Sequence, residues 1–163
     1  MKYQPNKNYE SNDVVMTPIN LAKKLVEHFK PVGKGLEPCC GTGNILQFLE
    51  NADWCEITKN KNFFDYKEKV DYIFTNPPWS KIRTFLQHSM ELANDIYLLF
   101  TINHLWTKAR LRDIKEYNFG IVEICLFDTP DTFPQTGFQL GMVHIKRNYD
   151  GGLIKLTHLD YEK

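Results

Sequence analysis

The 163 residues are 42% hydrophobic, 13% aromatic and 25% charged, which excludes a disordered chain and fits a single domain over 1–163. Twenty Lys+Arg balance twenty Asp+Glu, so binding to nucleic acid through overall basicity is excluded and any such contact needs a local patch. There is no apolar run near the roughly 20 residues of a membrane span, no secretion signal, and no metal or disulfide spacing among Cys39, Cys40, Cys55 and Cys125, so the expectation is a reducing cytoplasmic setting, free thiols, no metal and no membrane.

In chain order, residues 1–12 are polar and read as a flexible arm. A helix is expected from Thr17, which is a good N-cap. Pro18 suits the first helical position, and Leu21, Leu25, Val26 and Phe29 share one face. Pro31 and Gly33 end it. Residues 35–38 read as a strand running into the Gly41-Thr42-Gly43 bend, and 44–51 as a helix carrying Ile45, Leu46, Phe48 and Leu49. Further strands are expected at 54–57, 62–66 and 70–75, the last leading into Asn76-Pro77-Pro78-Trp79. Residues 80–93 pattern as a helix, 96–100 as a strand buried on both faces, and 107–117 as a basic amphipathic helix. Strands at 121–127, 138–147 and 153–159 follow, separated by a Pro- and Thr-rich loop at 128–137 and an Asp150-Gly151-Gly152 turn. Alternating strands and helices imply an α/β fold, a mostly parallel sheet with helices on both faces, with the late strand pair giving an antiparallel edge.

Ligands of such sheets bind at the carboxyl ends of the strands. Glu37, Glu56, Asp65 and Asn76 close four successive predicted strands and so converge on one rim. Gly41 and Gly43 let a ligand approach the backbone closely, but Leu46 replaces the third glycine of a phosphate fingerprint and no phosphate-loop lysine follows. A ligand without phosphates is favoured. Glu56 lies nineteen residues beyond Glu37, the spacing at which an acid can accept both hydroxyls of a ribose.

Asn76-Pro77-Pro78-Trp79 suggests its own chemistry. An amine on an aromatic ring is a poor nucleophile because its lone pair is delocalised. A side-chain oxygen from Asn76 and the Pro77 carbonyl could accept its two N–H groups, with the prolines holding the backbone still. Trp79 offers a face for stacking a base, worth roughly 1–3 kcal/mol.

This tetrapeptide resembles the catalytic motif of S-adenosylmethionine-dependent amino methyltransferases, above all the adenine-specific DNA methyltransferases. Glu37-Pro38-Cys39-Cys40-Gly41-Thr42-Gly43 resembles their cofactor-binding motif, and Val14-Val15-Met16-Thr17-Pro18 the motif that closes over the cofactor's methionine end. The resemblance covers about residues 13–105 and implies a class I methyltransferase domain with a Rossmann-like, seven-stranded sheet. It implies S-adenosyl-L-methionine as cofactor. Thr17 and Glu37 would lie at its amino-acid end, Cys39, Gly41 and Gly43 along it, and Glu56 on the ribose. Ile57 would pack on the adenine, Asp65 would accept from the adenine amine, and Asn76 would stand beside the methyl group. The implied reaction is methylation of the exocyclic 6-amino group of adenine in DNA. Methylation of RNA adenine or protein glutamine, and a non-catalytic cofactor-binding partner subunit, are alternatives.

Eighty-four residues follow Trp79, too few for the rest of the sheet and a separate target-recognition domain. Selectivity would then come from loops, a homodimer or a separate specificity partner. Lys81, Arg83, Lys108, Arg110 and Arg112 are candidate phosphate contacts, with a solvated helix face as the alternative. The resemblance also implies a late-loop aromatic that sandwiches the extruded base, a role open to Phe133 or Phe138.

Overall fold

A computed structural model describes residues 13–150 and 152–163, so the arm expected at 1–12 lies outside the described residues. Helix α1 spans Ile19–Phe29 and is followed by strands β1 (Gly35–Glu37), β2 (Ala52–Trp54) and β3 (Tyr72–Thr75). Helix α2 (Ile82–Leu92), strand β4 (Asp95–Thr101) and helix α3 (Lys108–Glu116) come next, then β5 (Phe119–Phe127), β6 (Leu140–Arg147) and β7 (Lys155–Leu159). The seven strands form one sheet in the order β2-β1-β3-β4-β6-β5-β7. All pairings are parallel except those of β6, which runs antiparallel to both β4 and β5. The mostly parallel sheet is as expected, but its reversed strand is interior and not at an edge.

Period-two alternation explains how the sheet takes helices on both faces. Tyr72, Phe74, Tyr97, Leu99, Leu140 and Met142 point to the side covered by Leu21, Ala22 and Leu25 of α1. Ile73, Ile96, Leu98, Phe100, Val143 and Ile145 point to the other side, where Ile82, Phe85, Leu86 and Met90 of α2 and Ile114 of α3 pack. Each of these fully buried apolar side chains contributes roughly 1.5–3 kcal/mol. Helix α3 starts at Thr107, whose hydroxyl accepts from the Arg110 N–H. Helix α1 begins one residue later than the N-cap reading of Thr17: Pro18 flanks it with no side-chain cap, and Lys30 ends it in a left-handed conformation.

The strand expected at 54–57 is shifted to Ala52–Trp54, and Glu56 caps a 3-10 turn at Ile57–Lys59 instead of closing the strand. Two further elements differ in type. The helix expected at 44–51 is only a 3-10 turn, Leu46–Phe48, and the strand expected at 62–66 is another, Phe63–Asp65. The second difference has a packing cause. Phe63 is buried, stacks on Phe85 at 5.1 Å and meets the His88 ring at 4.7 Å. Its apolar character serves a plug against α2 and not a strand. Without 62–66, the eight strands read from the sequence become the seven observed, with β7 beside β5. All four cysteines are free, and no helix among the described residues is long and apolar enough to cross a membrane.

Candidate functional site: two cavities that meet at Asn76

Strands β1, β3 and β4 end on one rim, where two cavities adjoin. The first, about 490 Å³, is lined by Met16, Cys39, Gly41, Glu56, Ile57, Asn62, Phe64, Pro78 and Phe85 among others. The second, about 310 Å³, is lined by Pro77, Trp79, Ser80, Thr101, Asn103, His104, Thr136 and Phe138 among others. Asp13, Val15 and Asn76 line both. The volumes suit small organic groups.

The walls of the first cavity follow from local chemistry. Gly41 has φ +51°, and a Cβ there would stand 2.6 Å from the Met16 sulfur. The left-handed backbone here favours glycine, and a side chain would displace the end of the Met16 side chain from the upstream segment. Glu56 closes the loop: one carboxylate oxygen accepts from the Gly41 N–H at 2.8 Å, the other from the Thr58 N–H at 3.1 Å and the Thr58 hydroxyl at 2.8 Å. Burial pushes its pKa up, but these donors and Lys59 outweigh that and hold the carboxyl below its usual range. Ile57, 69% exposed, presents an apolar face at the mouth.

Glu37 is the unusual group. It ends β1 with 1% exposure, and its Oε2 has no hydrogen-bond partner. Burial, reinforced by the Glu56 charge and only partly offset by the Leu46 N–H, pushes its pKa up to about 8. A buried carboxyl without a partner is a costly arrangement that a cationic ligand would relieve. Thr17 is likewise buried with its hydroxyl unpartnered, while its carbonyl accepts from the Asn44 side chain at 2.9 Å. The Cys39 thiol lines the cavity and is pushed upward by burial, with Glu56 and Glu37 adding to the effect, so it stays protonated. Gly43 has φ +87° with open space where a Cβ would be, so its requirement is backbone conformation and not room. Asp65 is exposed and, like Thr17, Glu37 and Gly43, is not among the residues that line the cavity, whereas its neighbours Asn62, Phe63 and Phe64 are.

At the junction, Asn76 donates through Nδ2 to the Val15 carbonyl at 2.9 Å. A carbonyl can only accept, so the amide orientation is fixed by its partner. Oδ1 accepts no hydrogen bond among the described residues, and neither does the Pro77 carbonyl. Trp79 is held by its indole N–H, which donates to the Leu99 carbonyl at 3.3 Å. Ser80 bonds Asp13 through both its N–H and its hydroxyl, which ties the upstream segment across the rim.

The aromatic reading is corrected. Phe133 is 3% exposed and packs behind Trp79, ring centres 6.0 Å apart, in the α1-side core. Phe138, 56% exposed, lines the second cavity instead. The basic patch is corrected too. Arg83 is paired with buried Asp113, with contacts of 2.7 and 3.1 Å, and Gln87 joins the same carboxylate. Arg110 turns inward, bonds Thr107 and leaves its buried Nε unpartnered; Arg112 lies 3.9 Å from Glu116. Lys81 and Lys108 are the exposed, unpaired cations of the five among the described residues, and Lys81 lines the first cavity. Arg83→Ala is therefore expected to lower the melting temperature, because it strands a buried carboxylate, whereas Lys108→Ala, which strands none, should leave it nearly unchanged. Parallel thermal melts of the two variants check this.

Sequence reasoning missed Asn103 and His104. Burial, with the Arg110 charge, lowers the His104 pKa and favours neutral imidazole at the cavity. Both residues directly follow β4, and applying the strand-end rule to that strand as well would have found them.

No family model matches the chain, and no curated protein does. Solved structures do. A candidate RNA methyltransferase from Pyrococcus horikoshii aligns at a TM-score of 0.62 and 15% identity, covering 88% of this chain and 91% of that one. A type I restriction-enzyme modification subunit from Vibrio vulnificus aligns at 0.62 and 19%, covering 82% and 44%. A candidate class I S-adenosylmethionine-dependent methyltransferase from Listeria monocytogenes aligns at 0.61 and 13%, covering 94% and 68%. This chain thus has the Rossmann-like class I methyltransferase fold, and spans under half the length of the restriction-enzyme subunit it matches.

Proposed function

We propose that the chain is an S-adenosylmethionine-dependent N-methyltransferase acting on the exocyclic 6-amino group of adenine in DNA. The observation that carries this reading is the fixed carboxamide of Asn76 at the meeting of two cavities, with its NH₂ committed to Val15 and its oxygen left as an acceptor.

The first cavity fits the cofactor. Glu37 does not itself line the cavity but directly precedes the lining residues Pro38 and Cys39, and its unpartnered buried carboxyl would be offered to an ammonium there; Gly41 lines the passage, and Glu56 would accept ribose hydroxyls. Ile57, Phe64 and Phe85 are the apolar surfaces suited to a flat base. When bound, the cofactor supplies an electrophilic methyl group on a sulfonium.

The second cavity would take the target base. Asn76 Oδ1 and the Pro77 carbonyl would accept its two amine hydrogens and so return electron density to the nitrogen. Trp79 and Phe138 would bracket the ring. A base within a duplex reaches such a cavity only by leaving the stack. Lys81 and Lys108 would hold phosphates without reading sequence. The resemblance to DNA adenine methyltransferases favours DNA over RNA or glutamine. A homodimer or a specificity subunit would set the target sequence.

The test is incubation with methyl-labelled cofactor and DNA, RNA or protein, followed by digestion and mass spectrometry. N6-methyladenine in the DNA digest is the expected result. Label appearing solely in RNA or glutamine would reassign the substrate, and cofactor binding without transfer to any of the three would make the chain a non-catalytic subunit.

A further inference from the structure

Outside the rim, one cluster of three ligating side chains joins two elements. His28 lies in the last turn of α1, and Glu123 and Cys125 lie two apart on β5, so they share the face turned toward α1. His28 Nε2 is 2.5 Å from Glu123 Oε1, and the imidazole nitrogen, carboxylate oxygen and Cys125 sulfur all lie within 4.8 Å of one another. Glu123 and Cys125 are buried, Cys125 fully, and none of the three lines either rim cavity.

We infer that His28, Glu123 and Cys125 form a zinc-binding site that pins α1 to the β5–β7 end of the sheet. The donor set selects the ion: imidazole, carboxylate and thiolate together suit zinc, whereas magnesium and calcium take oxygen alone. Zinc bonds of roughly 2.0–2.3 Å place tetrahedral ligand atoms about 3.3–3.8 Å apart. The His28–Glu123 contact then opens by about 1 Å and the Cys125 sulfur closes by a similar amount, within the reach of side-chain rotation. On binding, the Cys125 S–H bond breaks, a sulfur–zinc bond forms and the proton leaves to solvent. His28 also gives up the Nε2 proton that it donates to Glu123, which leaves to solvent or is replaced by one on Nδ1, and then coordinates through the freed Nε2; Glu123 is already ionised.

The neighbours are compatible. The Thr157 hydroxyl, on β7 in register with Cys125, lies 2.6 Å from Glu123 Oε1 and can orient that carboxylate or fill the fourth position. Lys155, 3.7 Å from Glu123 Oε2, is the competing lysine among the described residues, and its exposed side chain can swing into water. His28 is partly exposed, which gives the ion a path in.

The test uses the full chain after chelation, titrated with cobalt(II) and zinc(II). One equivalent should bind, with a near-ultraviolet thiolate-to-cobalt band and a zinc-dependent rise in melting temperature. Cys125→Ser should abolish the band, and His28→Gln, at a partly exposed position where folding is retained, should weaken affinity at least about tenfold. Cys40→Ser should leave the band in place. No band and no melting shift in the natural chain would overturn the site, as would a band that survives Cys125→Ser or disappears with Cys40→Ser.

Discussion

Asn76→Ala is expected to abolish methyl transfer while cofactor affinity changes less than about tenfold, or roughly 1.4 kcal/mol. Removing one preorganised polar contact to a transition state typically costs 10²–10³-fold, and here the amide oxygen is the side-chain acceptor at the junction of both cavities. The same side chain also donates to the Val15 carbonyl, so the alanine variant loses a tether of the upstream segment as well. Asn76→Asp separates the two roles. It keeps an acceptor for the amine but cannot donate to Val15. Partial activity in the aspartate variant with none in the alanine variant assigns the chemistry to the oxygen. Equal loss in both, with cofactor affinity collapsing in parallel, would mean that Asn76 only holds the segment. Single-turnover transfer assays and cofactor titrations on both variants decide between these.

The second large effect concerns Glu37. Its folded pKa is raised to about 8 from an ordinary 4.5, so the folded protein holds a proton that the unfolded chain releases. Stability from this group is therefore greatest below about pH 4.5 and declines as pH rises to about 8, by a few kcal/mol in all. Glu37→Gln should flatten the fall in melting temperature between pH 5 and 8. If an ammonium is the ligand, its arrival ionises Glu37, and about one proton should be released at pH 7, measurable by calorimetry in buffers of different ionisation enthalpy. The glutamine variant should release none and bind roughly ten- to a hundredfold more weakly, in line with the 1.5–3 kcal/mol of a charge-assisted hydrogen bond. Melting curves of natural and variant protein that run parallel across this pH range would refute the buried neutral acid.

What could be read from the amino-acid order is what local chemistry dictates. Glu37, the Gly41 bend and Asn76-Pro77-Pro78-Trp79 follow strand ends, and the structure brings them to one rim because strand ends of a parallel sheet have nowhere else to go. The aromatic pair Phe63 and Phe64 was misread as strand residues because their partners, Phe85 and His88, lie more than twenty positions away. Segment 44–51 has helical spacing but only a 3-10 turn between the Gly43 bend and β2, with Asn51 in a left-handed conformation to end it. Counting charge located a basic stretch but not the buried Asp113 that takes up Arg83. Phe133 and Phe138 stand five apart in one loop; their fates differ because Phe133 lies against Trp79 and the core, a distinction that composition does not contain.

The position of β6 affects how the chain can assemble. It lies between β4 and β5 and touches both along nearly its whole length, yet it is made after either. Until residues 140–147 emerge, β5 has no neighbour to join on the side of β4, and the sheet exists as two unconnected pieces. A chain truncated after residue 139 should thus expose the apolar edges of β4 and β5 to proteases and chaperones, and in the full chain closure should arrive late and cooperatively, as long-range pairing requires.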